Sequence, residues 1–468
     1  MSADLVAPDA PELRKYQADA IDLVRASMRR GHTRVVLVIP TGGGKTVIAS
    51  EIARRAIAKG SRVVWLAHRT ELVGQAARTL SALGLHVGLV AASIKADPAA
   101  PVQVASIQTL VARETVRPQA NLIVADECHH LAEASETWVR VLDAYPKVHV
   151  LGLTATPERG DGTGLAPIFT DLVVGVTVRQ LTMTGHLVPC EIVRPDRWLK
   201  IRGRTGNPLA QPPLDAYREH AEGRQGILFA TTVEEAQAYA EDFSAAGIRS
   251  VCVHAQTPAD ERAQAIALFR DGVVRVLTNV YVFTEGTDLP MASVCLLARG
   301  AGHAGGLLQM VGRVLRPAPG KKSALLIDLQ GVTHLHGVPE DERLYRLTGK
   351  AMAVAGQVCL KCGAPIDSYP CMACGYAPQA QDLSSTEILN EPLQKFARKI
   401  AESPQQRRET FHRWVAAARA KGYNIRSVGH KWKGVYGSTV ESEPWWTRWP
   451  ADRAADASDG PIRRMFRR

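Results

Sequence analysis

The sequence lacks any apolar run of the roughly 18–20 residues that a helix needs to span a bilayer. Residues 1–17 lack the basic start and the apolar stretch of a secretory signal peptide. The chain also has no fixed-period repeat and no long low-complexity tract. These absences argue against a membrane-spanning, secreted or repeat protein, and we expect a cytoplasmic location.

Cysteine is scarce, with eight residues in a chain of 468. Four stand alone and far apart, which argues against a disulfide framework: Cys128, Cys190, Cys252 and Cys295. The other four form two Cys-x-x-Cys pairs, each followed by glycine: Cys359 with Cys362, and Cys371 with Cys374. This spacing predicts a structural Zn²⁺ site, with redox dithiols and unligated thiols as the alternatives. Four thiolates complete a tetrahedral shell, so we expect no catalysis there.

The composition, 46% apolar and 22% charged, is typical of a globular protein, and the length predicts two or three domains. Short β-branched runs alternate with helical patterns over residues 34–156 and again over 226–329. This alternation predicts an α/β fold with a parallel sheet in each half. We expect these domains along the chain: a first α/β domain at 1–190, a connection rich in Pro, Gly and Arg at 191–214, a second α/β domain at 215–345, a zinc module at 350–380, and a basic, mainly helical region at 385–468.

The C-terminal stretch 391–468 is strongly basic, with 17 Lys and Arg against 8 Asp and Glu. It also contains five of the eight tryptophans of the chain. Basic residues interleaved with aromatic ones suit phosphate attraction and base stacking, so this region is predicted to bind nucleic acid. The alternative is a small solvated helical domain whose aromatic residues form its own core.

A glycine-rich segment, "TGGGKT" at 41–46, lies between a β-branched run and a helical pattern. Glycines let backbone N–H groups surround phosphate oxygens at the start of the helix. Lys45 would then reach the β- and γ-phosphates of a nucleotide, and Thr46 would hold Mg²⁺. Ile39 stands where the general phosphate-loop pattern has glycine, but the strand–loop–helix context fits that motif.

Two further strand ends carry polar side chains. In "VADECHH" (124–130), Asp126 would bind the metal and Glu127 would polarise the attacking water. A zinc site built from Cys128 and the two histidines is rejected, because three consecutive residues on a strand end cannot all face one ion. His129 is better placed as a link to the rest of the domain. The threonines of "LTATP" (153–157) taken alone favour a plain strand end over a functional role.

The segment "QMVGRVLRP" (309–317) places Arg313 and Arg316 three residues apart, on one helix face. Together with Gln309 they would reach a γ-phosphate from the second domain, as arginine fingers do. A pair of solvated surface arginines is the alternative, and only the phosphate loop in the first domain favours the functional interpretation.

In this order, the segments resemble the motifs of the superfamily 2 helicases with a DEAH/DECH box, over about residues 10–335. The matching stretches are "LRKYQ", "TGGGKT", "LAHRTELVGQ", "SIQTL", "DECH", "TATP", "TNVYVFTEGTDLP" and "QMVGRVLR". Within this superfamily the chain is most similar to the RadD-like DNA-repair helicases of bacteria and phages, through "TATPERGDGTGL", "LIDLQGVTHLHGVPEDERLYRLTG" and the four-cysteine cluster that follows. Thr287 departs from the pattern, since the family usually has an aromatic residue there.

The resemblance implies two RecA-like domains and a role for each matched residue. ATP would be bound by Arg14, Gln17, Thr41, Gly42, Gly43, Gly44, Lys45, Thr46, Gly286 and Asp288. Hydrolysis would involve Lys45, Asp126, Glu127, Gln309, Arg313 and Arg316. Coupling would run through His129, Thr154 and Thr156, and the nucleic-acid backbone would be contacted by His68, Arg69, Gln108 and Thr109.

The predicted function is therefore that of an ATP-dependent DNA helicase or translocase in repair, recombination or replication. Its cofactors would be ATP, Mg²⁺ and Zn²⁺. Its partners would be single-stranded or branched DNA and other repair or replication proteins, with no membrane, in a bacterial or phage-infected cell. The alternatives are an RNA helicase, the motor subunit of a restriction system, and a DNA-binding protein that does not hydrolyse ATP.

Overall fold

The computed structural model describes residues 12–67, 70–90, 97–112, 117–132, 135–157, 164–199, 207–284, 287–348, 352–353, 357–358, 365–366 and 386–396. Two seven-stranded sheets lie within one compact unit, Met1–Phe396. The zinc-module cysteines and all residues after 396 lie outside the described part of the chain. In the described part, no helix is both long and apolar enough to cross a membrane.

All strands of the first sheet are parallel, in the order β3-β4-β2-β5-β6-β1-β7. They are β1 (Arg34–Val38), β2 (Val63–Ala67), β3 (Val87–Val90), β4 (Val102–Ser106), β5 (Leu122–Ala125), β6 (His149–Thr154) and β7 (Asp171–Val174). The accompanying helices are α1 (Lys15–Arg29), α2 (Lys45–Ile57), α3 (Thr70–Ala82), α4 (Ile107–Ala112), α5 (Ser135–Asp143) and α6 (Val178–Met183). Apart from Arg34 at the start of β1, the strands β1, β2 and β5 are continuous apolar runs, because both faces of the sheet are buried.

The second sheet has the order β11-β12-β10-β13-β14-β8-β20, and only β20 is antiparallel to its neighbour. Its strands are β8 (Cys190–Arg194), β10 (Gly226–Phe229), β11 (Ser250–Val253), β12 (Val276–Asn279), β13 (Val294–Leu297), β14 (Ala324–Asp328) and β20 (Gln394–Lys395). Its helices are α7 (Pro213–Ala221), α8 (Val233–Ala245), α9 (Ala259–Arg270), α10 (Ala304–Gly312) and α11 (Thr333–His336).

Short strand pairs complete the described structure. They are β9 (Asn207–Leu209) with β19 (Thr386–Ile388), β15 (Arg343–Leu344) with β16 (Met352–Ala353), and β17 (Gln357–Val358) with β18 (Pro365–Ile366). The two α/β halves agree with the sequence prediction of two parallel-sheet domains.

The structure differs from the sequence prediction at two domain boundaries. The stretch 191–214, expected to be a connection, contributes most of β8 to the second sheet and also contains β9. The residues 386–396, expected to begin a helical region, form β19 and β20 instead, and Phe396 packs under the Arg194 guanidinium, 4.2 Å from the ring centroid. These strands lie at or next to a sheet edge, where flanking prolines are tolerated. Their composition therefore resembles that of a loop, and the sequence pattern did not reveal them.

Candidate active site

The phosphate loop lies at the carboxyl end of β1, where the chain turns into α2. Gly42 and Gly44 have φ values of 84° and 80°, a left-handed conformation that glycine adopts at no steric cost. Gly44 is also the N-cap of α2, and no side chain caps that end. The backbone N–H groups of the first turn are therefore not occupied by a capping side chain, which is the geometry that suits a bound phosphate.

An ion pair joins this loop to the neighbouring strand end. The Lys45 ammonium lies 2.8 Å from Glu127 Oε1, and the two side chains are only 12% and 14% exposed. Glu127 follows β5 and has a φ of 47°, so the backbone turns back sharply there. Its N–H group donates to Asp126 Oδ1 at 3.0 Å. The turn directs the Glu127 carboxylate at Lys45 and leaves the Asp126 carboxylate buried beside it.

A chain of hydrogen bonds crosses from β6 to α10. The Thr154 hydroxyl donates to the carbonyl of Thr156 at 2.6 Å, which uses its only proton. The 3.1 Å contact between Thr154 Oγ1 and His129 Nδ1 is therefore donated by the imidazole. On the other side of the ring, His129 Nε2 lies 3.1 Å from the Gln309 amide nitrogen, and in the tautomer with its proton on Nδ1 the imidazole accepts from this amide. The chain thus runs from Gln309 through His129 to Thr154.

One face of α10 is shaped for close contact with the first sheet. Gly305, Gln309 and Gly312 are spaced four and three residues apart, so they share that face. A Cβ on Gly305 would lie 2.5 Å from Thr156 Oγ1, and one on Gly312 would lie 2.6 Å from Thr41 Cβ. Larger side chains at these glycines would separate α10 from the phosphate loop.

The arginines after α10 lie beside the same loop. A Cβ on Gly42 would be 3.3 Å from Arg316 Cγ, so Arg316 lies across the glycine turn. The Arg316 guanidinium also bonds to the Asp288 carboxylate. Arg313 is buried and donates to the carbonyl oxygen of Thr287 at 2.9 Å. The segment carrying Asp288 and the segment carrying both arginines are thus tied together.

The start of α1 covers the other side of the phosphate loop. The Arg14 N–H donates to Gln17 Oε1 at 3.0 Å, and Gln17 Nε2 would be 2.6 Å from a Cβ on Gly44. The Tyr16 hydroxyl donates to the Gly43 carbonyl at 3.0 Å. The His186 ring lies 5.3 Å from the Tyr16 ring, and burial, helped by the charge of Arg14, lowers the pKa of His186.

Tyr16 and His186 are the residues that sequence reasoning missed here. The position of Tyr16 beside Gln17 was a usable signal, because both side chains contact the glycine turn. No local pattern pointed to His186, since it reaches the site from a different part of the chain.

The structure brings most predicted site residues together, with some exceptions. Gln108 and Thr109 lie in α4 at the end of β4, where Thr109 Oγ1 shares a 2.8 Å hydrogen bond with Ser106. His68, Arg69 and Gly286 lie outside the described residues. So do Cys359, Cys362, Cys371 and Cys374, and the described residues contain no group of three or more His, Cys, Asp or Glu side chains arranged to hold a metal.

Thr46 and Asp126 offer oxygen donors close to the Lys45–Glu127 pair. Asp126 is 8% exposed and Thr46 is half-buried in the first turn of α2. Hydroxyl and carboxylate oxygens are the ligands that Mg²⁺ prefers, so the residues present fit a nucleotide-bound magnesium ion.

Two family models match the chain. The model "Type III restriction enzyme, res subunit" matches residues 10–159, and the model "Helicase conserved C-terminal domain" matches residues 212–318. A "51.5 kDa protein" of a Lactococcus phage is 32% identical over 361 residues, which cover 72% of this chain and 76% of the phage protein. The chain therefore belongs to the superfamily 2 helicases, a class of ATP-hydrolysing enzymes.

Two more distant relatives agree with this assignment. IRC3 of Saccharomyces cerevisiae is 29% identical, with 69% of this chain and 52% of IRC3 covered, so the chain spans about half of that protein. The "DNA 3'-5' translocase XPB2" of Sulfurisphaera tokodaii is 26% identical, with 69% of this chain and 82% of the translocase covered.

A solved structure shares the fold. The "ATP-dependent Type ISP restriction-modification enzyme LlaBIII bound to DNA" superposes with a TM-score of 0.52 at 17% identity, over 70% of this chain and 29% of that enzyme. At this identity the likeness concerns the fold alone.

Proposed function

We propose that this protein is an ATP-dependent DNA translocase or helicase that couples ATP hydrolysis to movement on DNA or to its remodelling. The observation that carries the proposal is the hydrogen-bonded chain from Thr154 through His129 to Gln309. It connects the strand end next to Glu127 with the helix that leads to Arg313 and Arg316. A change at the nucleotide would therefore be transmitted to α10 and the second sheet.

The proposed chemistry follows from the charges at the junction. Lys45 binds the β- and γ-phosphates, and Glu127, released from Lys45, orients the attacking water and accepts its proton. Thr46 and Asp126 would hold Mg²⁺, which would neutralise charge on the phosphate oxygens. Arg316 exchanges its contact with Asp288 for the γ-phosphate. Loss of that phosphate removes one of the links between the sheets, beside the His129–Gln309 bond, and favours their separation.

Movement requires that each sheet holds a different part of one strand. In the first domain we assign this role to Gln108 and Thr109, together with His68 and Arg69. Gln108 is exposed at the start of α4, which suits contact with a phosphate backbone. Backbone contacts carry no base sequence information, and a motor that moves along any sequence needs contacts of this kind.

DNA is favoured over RNA by the name of one relative, a DNA 3'-5' translocase. The family model that matches residues 10–159 favours one second candidate, the motor of a restriction system. A role in repair, recombination or replication, and a place among the RadD-like proteins, rest only on the segments quoted from the sequence.

The zinc module and the basic tail are part of the proposal. Cys359, Cys362, Cys371 and Cys374 would bind one Zn²⁺ and hold the region that precedes the tail. The tail, 391–468, would add phosphate contacts and stacking aromatic residues. Metal analysis of the purified protein should give about one zinc per chain, and the Cys371→Ser variant should give less than half of that, with weaker DNA binding but retained basal ATP hydrolysis.

ATP turnover tests the proposal directly. Hydrolysis is measured without polymer and with single-stranded DNA, double-stranded DNA or RNA, and Lys45→Ala serves as the inactive control. We expect DNA to stimulate turnover more than RNA does. Equal stimulation by RNA would contradict the DNA assignment, and stimulation only in the presence of a methylating or nuclease subunit would favour the restriction motor.

A further inference from the structure

Lys321 lies in the loop between α10 and β14, five residues after Arg316. Its ammonium is largely buried and donates to three backbone carbonyl oxygens: Pro290 at 3.0 Å, Ala292 at 2.6 Å and Arg316 at 2.7 Å. An ammonium group has three N–H donors, so this set of acceptors saturates it. No carboxylate takes part in these three bonds. Lys321 therefore acts as a tie between backbone segments.

The segments tied by Lys321 are those that present the Arg316–Asp288 pair. Pro290 and Ala292 belong to the loop that carries Asp288, and the third carbonyl belongs to Arg316 itself. The Asp288 loop is also held through Arg313, which bonds to the Thr287 carbonyl, and through Arg270, which bonds to the Asp288 carbonyl at 3.2 Å. Lys321 adds bonds to the backbone of both segments, through two carbonyls of the Asp288 loop and the carbonyl of Arg316.

The backbone of Arg316 needs such a support. Its side chain lies across Gly42 of the phosphate loop and contacts Asp288, while its Nε atom is buried without a hydrogen-bond partner in the described structure. If the guanidinium moves from Asp288 to a γ-phosphate, the side chain loses the contact that fixes its position. The backbone then has to keep Arg316 in place beside the phosphate loop.

We infer that Lys321 is a positioning residue for ATP hydrolysis, which holds the backbone of Arg316 and the Asp288 loop so that the guanidinium can act on the γ-phosphate. The inference rests on the proposed function, because it assumes that Arg316 meets the γ-phosphate. ADP has no such phosphate, so its binding does not require this tie. Lys321 should matter for the triphosphate and for turnover, and little for the diphosphate.

The test is a double-mutant cycle of Lys321→Met and Arg316→Ala, with Lys322→Met as the matched control. Lys322 is the adjacent lysine and is exposed. Each variant is assayed for kcat and KM with DNA, and for binding of ADP and of a non-hydrolysable triphosphate analogue. We expect Lys321→Met to lower kcat by about tenfold, equivalent to about 1.4 kcal/mol, to weaken binding of the analogue, and to change ADP binding less than twofold.

The double variant should be no slower than Arg316→Ala alone, because Lys321 acts through Arg316. Lys321→Arg, which keeps a charged donor, should recover part of the activity and also serves if Lys321→Met does not fold. Independent, multiplicative losses in the double variant would overturn the inference, as would equal weakening of ADP binding or the same loss with Lys322→Met. If the unsubstituted protein shows no DNA-stimulated turnover, the proposed function fails and the inference fails with it.

Discussion

The hydrogen bond between His129 and Gln309 should couple DNA binding to hydrolysis. Gln309→Ala removes the donor and leaves a buried imidazole acceptor, in a place where the two side chains are 9% and 8% exposed. Leaving a buried acceptor unsatisfied costs roughly 1–3 kcal/mol. A central value of about 2 kcal/mol corresponds to a change of about 30-fold in rate.

We therefore expect Gln309→Ala to lower DNA-stimulated kcat by about 30-fold and basal kcat by much less. Basal turnover depends on Lys45 and Glu127, which this variant leaves in contact. The assay is steady-state ATP turnover with and without single-stranded DNA, for Gln309→Ala, His129→Ala and the double variant. The matched control is His130→Ala, because His130 packs its ring on that of His129, with centroids 4.2 Å apart, and is not a member of the Thr154–His129–Gln309 chain.

The double variant tests whether His129 and Gln309 act together. If the two residues act through one hydrogen bond, the double variant should be about as slow as the slower single variant. Losses that multiply, or a basal rate that falls as far as the stimulated rate, would show that the contact is not the coupling element.

Three further predictions address other parts of the molecule. Glu127→Gln keeps the shape of the side chain but removes its charge, so turnover should fall about 10²- to 10⁴-fold while binding of a fluorescent ATP analogue persists; loss of binding would show that the carboxylate is structural. Burial and the neighbouring Arg224 and Arg316 lower the pKa of Lys321 to about 7, with Cys190 acting in the opposite direction, so the amine loses its third donor as the pH rises through 7. The ratio of wild-type to Lys321→Met turnover should therefore fall between pH 6 and pH 8.5, and a constant ratio would contradict this account. A chain ending after residue 385 loses β19, β20 and the buried Leu393 and should unfold at a lower temperature than a chain ending after 396, whereas equal melting temperatures would deny these strands a structural role.

The phosphate loop and both sheets could be predicted because their signals are local. A glycine loop between a β-branched run and an amphipathic helix specifies its own conformation, and alternation of strands and helices specifies parallel pairing. The polar residues after β1, β5 and β6 then meet without further information, because the carboxyl ends of parallel strands lie at one edge of a sheet.

Contacts made across long separations in the chain could not be predicted in this way. Strand β20 pairs with β8, which lies about 200 residues earlier in the sequence. Neither short segment has a sequence pattern that indicates its pairing partner. From the sequence alone Lys321 would be taken for an exposed surface lysine. Its burial becomes apparent only in the structure, where backbone carbonyls from two segments meet around its ammonium. The sequence shows that Gly305 and Gly312 lie seven residues apart on either side of Gln309. It does not show that these glycines allow α10 to approach the first sheet closely, because that depends on which surface α10 packs against.

The most direct test of the central claim is ATP-driven displacement of a third strand from a DNA triplex, because it reports movement along the duplex independently of strand separation. The account predicts displacement by the unsubstituted protein with ATP, none with a non-hydrolysable analogue, and none by Glu127→Gln or Lys45→Ala. A translocase that moves only along single strands needs a different substrate. For this case the same measurement is made on a triplex flanked by a single-stranded track. Vigorous DNA-stimulated hydrolysis without displacement on either substrate would contradict the claim that hydrolysis drives movement along DNA.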